Sequence, residues 1–147
     1  MYWLVAVSAA LLFPSKPAVA LCPAMCTCVW QRDGAKAREQ ATAVMEGVAL
    51  DSTLGAPLTD STQGFVTVRL VVGQLWKGDL PDTVGVVTRD PGSAGGFRFV
   101  RGERYLVFAY RNPSGELEVS MCRASVPWNE ARRARKALGR PLRTGAA

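Results

Sequence analysis

The longest alternating stretch of the chain covers residues 64–76, GFVTVRLVVGQLW. Val66, Val68, Leu70 and Val72 fall on one face of an extended backbone, and Phe65, Thr67, Arg69 and Val71 fall on the other. A period of two rich in β-branched residues predicts a strand. Residues 83–89 (TVGVVTR) and 104–111 (RYLVFAYR) also read as strands, and 116–121 (ELEVSM) alternates as a fifth. Residues 44–50 (VMEGVAL) look like a further strand, where Gly47 is a candidate bulge. Turn chemistry separates these runs. Residues 51–63 predict a mobile polar loop, 77–82 a turn, 90–96 (DPGSAGG) a glycine-rich loop and 112–115 a tight turn.

Two segments have helical character. Residues 35–43 (AKAREQATA) have high helix propensity and follow Gly34. Residues 128–138 follow Pro127, with Asn129 as the expected N-cap and Gly139 and Pro141 as the stop. Five strands with a helix at each end predict an all-β barrel. The five-stranded OB-fold is the nearest small architecture, and a sandwich is the other arrangement the pattern permits. Trp76 and Trp128 are expected as buried anchors at the barrel ends. Glu103 and Arg104, as strand neighbours, face opposite sides and read as a solvated turn. Asp79 and Asp82 read as turn-formers. Gly92, Gly95 and Gly96 permit a tight loop.

The first twenty residues, MYWLVAVSAALLFPSKPAVA, predict an export signal. The apolar run from Trp3 to Phe13 is broken by Pro14, and Ala18-Val19-Ala20 offers cleavage after Ala20. A membrane anchor needs about 20 apolar residues, more than this run supplies. Bulky Leu21 before Cys22 argues against lipid attachment there. The expected organisation is therefore a signal peptide over 1–20, one domain over 21–138 and a C-terminal tail over 139–147. A secreted location follows, with periplasmic or surface-attached variants.

Charge changes the picture at one place. The chain carries a formal charge of +6. The excess of the exported chain lies near its end, where Arg132, Arg133, Arg135, Lys136, Arg140 and Arg143 oppose Glu130 alone. A solvated helix face explains such a run, and contact with a polyanion through Arg132, Arg133, Arg135 and Lys136 is the functional alternative. No aromatic residue interleaves the run to stack on bases, so nucleic acid is not an expected partner. The chain has no histidine. Ser-His-Asp and Cys-His catalysis and imidazole-ligated zinc are thereby removed. No convincing nucleophile–base pair replaces them, so the chain is not read as an enzyme and no cofactor is expected.

Three of the four cysteines, Cys22, Cys26 and Cys28, sit in the stretch CPAMCTC, and the fourth is Cys122. A thiolate zinc site would need paired two-residue knuckles, and a redox site would need Cys-x-x-Cys at a helix start. Neither spacing occurs. An even count in an exported chain predicts disulfides, with three connectivities open. A Cys28–Cys122 bridge would close a loop of about 95 residues, worth roughly 4–5 kcal/mol in the chain-entropy model.

Several motifs carry a family. Cys26-Thr27-Cys28-Val29 resembles the start of the tissue inhibitors of metalloproteinases, which begin with Cys-x-Cys on a netrin-like OB-fold. Leu75-Trp76-Lys77-Gly78 is similar to the end of that family's long second strand. Val119-Ser120-Met121-Cys122 followed by Val126-Pro127-Trp128-Asn129 resembles its cysteine after the fifth strand and its helix start. Residues 102–109 (GERYLVFA) are similar to the fourth strand of short bacterial homologues. The resemblance covers about residues 26–138. It implies that Cys28 pairs with Cys122. It also implies an inhibitory wedge made of Cys26, Thr27, Cys28 and Val29, flanked by Ser93 and Ala94 of the glycine-rich loop. In that family the α-amino group and carbonyl of the first cysteine ligate the protease zinc. Cys26 would do so here as the mature N-terminus.

Two positions depart from the family pattern. Cleavage after Ala20 leaves residues 21–25 ahead of Cys26, which turns its nitrogen into an amide. The glycine-rich loop has no cysteine to pair with Cys26, which leaves Cys22 as its partner. The resemblance therefore implies one of two functions. One is a secreted inhibitor of a zinc metalloendopeptidase. The other is a non-inhibitory extracellular module that binds a protein or a polyanion.

Overall fold

The computed structural model describes residues 33–53, 64–90 and 95–145. The strands are β1 (Ala43–Ala49), β2 (Phe65–Lys77), β3 (Thr83–Arg89), β4 (Arg104–Arg111), β5 (Leu117–Glu118), β6 (Val126–Pro127) and β7 (Arg143–Thr144). The helices are α1 (Gly34–Gln40) and α2 (Arg132–Leu138), the latter preceded by a 3₁₀ turn at Trp128–Glu130. The sheet runs β1-β2-β3-β5-β4, and β4 pairs back onto β1. The result is a closed five-strand barrel with two helices outside it, consistent with an OB-like barrel. Closure uses one parallel contact, Val87 beside Glu118, and the other strand pairs are antiparallel.

Alternation puts two sets of apolar residues to use. Met45, Val68, Leu70, Val72, Leu75, Val86, Phe97, Phe99, Tyr105 and Val107 fill the barrel. Val44, Trp76, Leu106 and Phe108 point outward and are covered by Ala37 and Ala41 on the α1 side and by Ala131 and Leu138 on the α2 side. β4 is thus buried on both faces along Tyr105–Ala109, which explains its unbroken apolar run. The helices meet closely. A Cβ on Gly34 would lie 3.1 Å from the Ala134 carbonyl oxygen.

β2 changes phase near its end. Gly47 pairs with Val72, Met45 with Leu75 and Val44 with Lys77, so two extra residues sit on β2 between Val72 and Lys77. The irregularity expected at Gly47 therefore belongs to the opposite strand. Gly47 serves another purpose, because a Cβ there would lie 3.2 Å from Leu70 Cδ1. The first bulge, between Val72 and Leu75, keeps Leu75 inside the barrel and turns Trp76 out under the helices.

The Leu75–Gly78 motif now has a structural role for each residue. Leu75 fills the barrel. Trp76 is 2 % exposed, and its Nε1 donates to the Gly139 carbonyl at 2.9 Å, just past α2. Lys77 Nζ donates to the carbonyls of Arg38 and Glu39 at 2.8 and 2.9 Å, satisfying the free end of α1. Arg38 returns a bond to the Trp76 carbonyl at 3.1 Å. Gly78 turns the chain at φ +94°, with Ala43 Cβ 3.1 Å from where its own Cβ would be.

Several sequence expectations are corrected. α1 ends at Gln40 rather than 43, and its start is capped by Asp33, whose carboxylate accepts from the Ala35 N–H at 3.0 Å. Asn129 is not a cap: it lies within the 3₁₀ turn, and α2 begins after Ala131 with no side-chain cap. The fifth strand covers only Leu117–Glu118 rather than 116–121. The stretch 139–147, read as a tail, holds β7, which lies along β2 at Gln74 and Leu75, beyond the end of β3.

Trp76→Phe removes the bond to Gly139 while keeping most of the apolar contact. It is expected to cost roughly 1–2 kcal/mol, read as a lower urea midpoint at unchanged slope. Trp76→Ala is expected to cost about 3–5 kcal/mol.

Candidate functional site

The glycine-rich loop and Cys122 are far apart in sequence and adjacent in space. Two features of the chain near Cys122 produce this. β5 and β6 occupy the same edge of β4, at Tyr110–Arg111 and Tyr105–Leu106 respectively. Between them Ser125 bridges the edge, accepting from the Phe108 N–H at 2.8 Å and donating to the Phe108 carbonyl at 3.3 Å. The intervening residues leave the sheet in a turn. There the Cys122 N–H donates to Ser120 Oγ at 3.2 Å and the Arg123 N–H to the Ser120 carbonyl at 3.1 Å. This turn is what shortens the fifth strand.

The foot of the glycine-rich loop is pinned against the same turn. The Met121 N–H donates to the Gly95 carbonyl at 3.1 Å. The Phe97 N–H donates to Thr88 Oγ1 at 2.8 Å, and the Asp90 N–H to the Gly64 carbonyl at 2.7 Å. A Cβ on Gly96 would overlap the Asp90 carbonyl and lie 2.7 Å from the Arg89 carbonyl oxygen, so only glycine fits. Gly64 follows the polar loop that begins after Thr53. The start of that loop is also fixed. Thr53 donates through its N–H (3.1 Å) and hydroxyl (3.2 Å) to the Phe99 carbonyl, and its hydroxyl accepts from the Phe99 N–H at 3.0 Å. Gly95 thus joins the glycine-rich loop to the turn of Cys122, and Asp90 joins it to Gly64 at the end of the polar loop.

Of the residues expected in the site, Cys22, Cys26, Thr27, Cys28, Val29, Ser93 and Ala94 lie outside the described residues. Cys122 is described and is half-buried. Met121 beside it is 40 % exposed, one of two large hydrophobic residues exposed to that degree among the described residues.

Next to the turn is a cleft of about 200 Å³ lined by Tyr110, Arg111, Asn112, Glu118, Ser120 and Arg123. The Arg123 guanidinium stacks 4.1 Å from the Tyr110 ring centre. Burial pushes the Tyr110 hydroxyl to a higher pKa, and that oxygen has no hydrogen-bond partner among the described residues. Sequence reading did not identify this cleft, because its residues come from β4, a turn and the excursion after β5.

The charged residues expected to meet a polyanion are not equivalent. Arg132, Arg133 and Lys136 are exposed. Arg135 is half-buried and stacks on Trp128, its guanidinium 4.1 Å from the ring centre. Arg104, expected in a solvated turn, instead holds Glu46: Nε lies 3.1 Å from Oε1 of a residue that is 4 % exposed. Glu46 was not singled out, since nothing local in the sequence marks a charge on a buried strand face.

Asp51 is the most perturbed acid among the described residues. Its oxygens accept from the Arg69 side chain at 2.9 Å twice and from the Arg69 N–H at 3.0 Å. The Arg69 side-chain hydrogen bonds, followed by the backbone bond, lower its pKa to about 2. A depressed carboxylate stabilises the folded state above its unfolded pKa near 3.8, and the gain disappears as pH falls through about 2.

Asp51→Asn is therefore expected to destabilise the protein at neutral pH by no more than about 1 kcal/mol, given the exposure of the pair. The difference from wild type should vanish towards pH 2, as read from thermal midpoints across that range. Gly96→Ala is expected to cost about 1–3 kcal/mol through its overlap with Asp90. Neither a protein-family model nor a curated protein matches the chain, so the reading of this site rests on its own residues.

Proposed function

We propose that the chain is an exported, disulfide-stapled OB-type barrel of the netrin-like kind, acting as an inhibitor of a zinc metalloendopeptidase. One observation carries the reading: Cys122 lies in a turn hydrogen-bonded to Gly95, at the foot of the loop that bears Ser93 and Ala94. Pairing Cys122 with Cys28 would hold Cys26, Thr27 and Val29 at that foot. The family resemblance asks for the same neighbours in a wedge. The closed strand order and the roles of Leu75–Gly78 and of Pro127-Trp128 at the start of the second helical segment support the netrin-like assignment.

The chemistry requires a free amine. A neutral α-amino group and the carbonyl of Cys26 would replace the water at an open position of the target's catalytic zinc. Thr27 would enter the adjoining substrate pocket. An amide nitrogen at Cys26 has no lone pair to give the metal, so the mature start of the chain governs the activity.

The second reading is a non-inhibitory module that binds an extracellular protein through the same turn and loop. The lack of a cysteine in residues 90–96 favours it, because Cys26 then has Cys22 as its remaining partner.

N-terminal sequencing of the exported protein, with inhibition assays on a panel of zinc proteases, tests the proposal. A chain beginning at Cys26 that inhibits at micromolar concentration or below is the expected result. Elongating it by one alanine ahead of Cys26 should reduce inhibition at least about a hundredfold. A chain beginning at Leu21 with no inhibition would overturn the inhibitor reading and leave the binding module.

A further inference from the structure

α2 is seated against the barrel so that its basic residues are held outward. Ala131 and Leu138 are buried, Ala134 meets Gly34, and Trp76 bonds to Gly139 just past the helix end. Arg132, Arg133, Lys136 and Arg140 are all exposed. The ion pairs among the described residues join Arg69 to Asp51, Arg104 to Glu46 and Arg143 to Asp82, and none includes these four. Arg132, Lys136 and Arg140 recur every fourth residue, so Arg132 and Lys136 share one stripe of the helix and Arg140 follows its end.

An exposed apolar residue follows the basic run in the chain. Leu142, two positions after Arg140, is 68 % exposed, the most exposed large hydrophobic residue described. It is not loose. Its N–H donates to the Leu75 carbonyl at 2.7 Å, and the next two residues pair with β2. The fold thus fixes an exposed leucine two residues after the exposed Arg140, and an apolar environment would bury that side chain favourably.

We propose that this face docks on an anionic phospholipid surface. The four cations supply attraction to headgroup phosphates, and Leu142 enters the acyl boundary. A sulfated polysaccharide would satisfy the cations equally well but would give Leu142 nothing. That difference decides between the two. α2 has seven residues, and no helix among the described residues is long and apolar enough to cross a membrane, so the contact is peripheral. The proposal is independent of the inhibitor reading.

The test is co-sedimentation of the exported chain with vesicles of equimolar phosphatidylglycerol and phosphatidylcholine, against pure phosphatidylcholine vesicles and heparin beads. The expected result is binding to the anionic vesicles and none to the pure phosphatidylcholine vesicles, weakening as salt rises. Replacing Arg132, Arg133, Lys136 and Arg140 together by glutamine should weaken it at least about tenfold. Leu142→Ser should weaken vesicle binding about threefold or more and leave heparin retention unchanged. Equal binding to both vesicles, or vesicle binding indifferent to Leu142→Ser, would overturn the proposal. Retention on heparin without vesicle binding would assign the patch to a polysaccharide instead. Circular dichroism checks the fold of each variant, and Leu142→Ser with the salt series decides the matter if the fourfold variant does not fold.

Discussion

Two extra residues near the end of β2 set the geometry of the molecule. Without the first of them, between Val72 and Leu75, Trp76 and Leu75 would exchange sides, because a one-residue change of phase moves a side chain to the opposite face of a strand. With them, Leu75 stays in the barrel and Trp76 lies beneath both helices. Lys77 then reaches the open carbonyls of α1, and the Trp76 indole reaches Gly139 beyond α2. β7 is also laid along these bulged residues, where β3 has already turned away. A short segment of one strand therefore positions both helices and the C-terminal strand.

The other organising feature is the gap between β5 and β6. A continuous strand there would seal the edge of β4. Instead Ser125 satisfies Phe108 from a side chain, and the released residues form the turn that holds Cys122 against Gly95. The barrel core is rigid and apolar directly behind it, with Phe97, Phe99 and Tyr105 in mutual ring contact at 4.7–5.7 Å. A rigid wall carrying pinned loop feet is what a recognition surface requires if little ordering entropy is to be lost on binding.

Much of this was legible in the sequence. Strands β2 and β3 follow from alternation, and β4 from an apolar run bounded by Arg104 and Arg111, because each lies between two neighbours. What the sequence cannot show is which strand glycine marks the bulge: Gly47 and Gly73 both interrupt a strand pattern, and the extra residues lie on β2. The fifth strand was overextended for a similar reason, since Glu116 to Met121 alternates through residues that the structure turns away from the sheet. Asp33 before Gly34 carried a readable capping signal that the propensity of the following alanines overshadowed. The Glu46–Arg104 pair was not readable, because it depends on which strands become neighbours. For the candidate site, the sequence singled out Cys122 and the glycine-rich loop, but their contact arises from tertiary structure alone. The exposed basic run was legible as charge, whereas the loss of Arg135 to Trp128 and the fixed exposure of Leu142 were not.

The account depends most on how Cys122 is paired. Peptide mapping of the unreduced protein by mass spectrometry answers that directly. The account predicts a fragment joining Cys28 to Cys122. A fragment joining Cys122 to Cys22 or to Cys26 would contradict it, because Thr27 and Val29 would no longer be anchored at the foot of the glycine-rich loop.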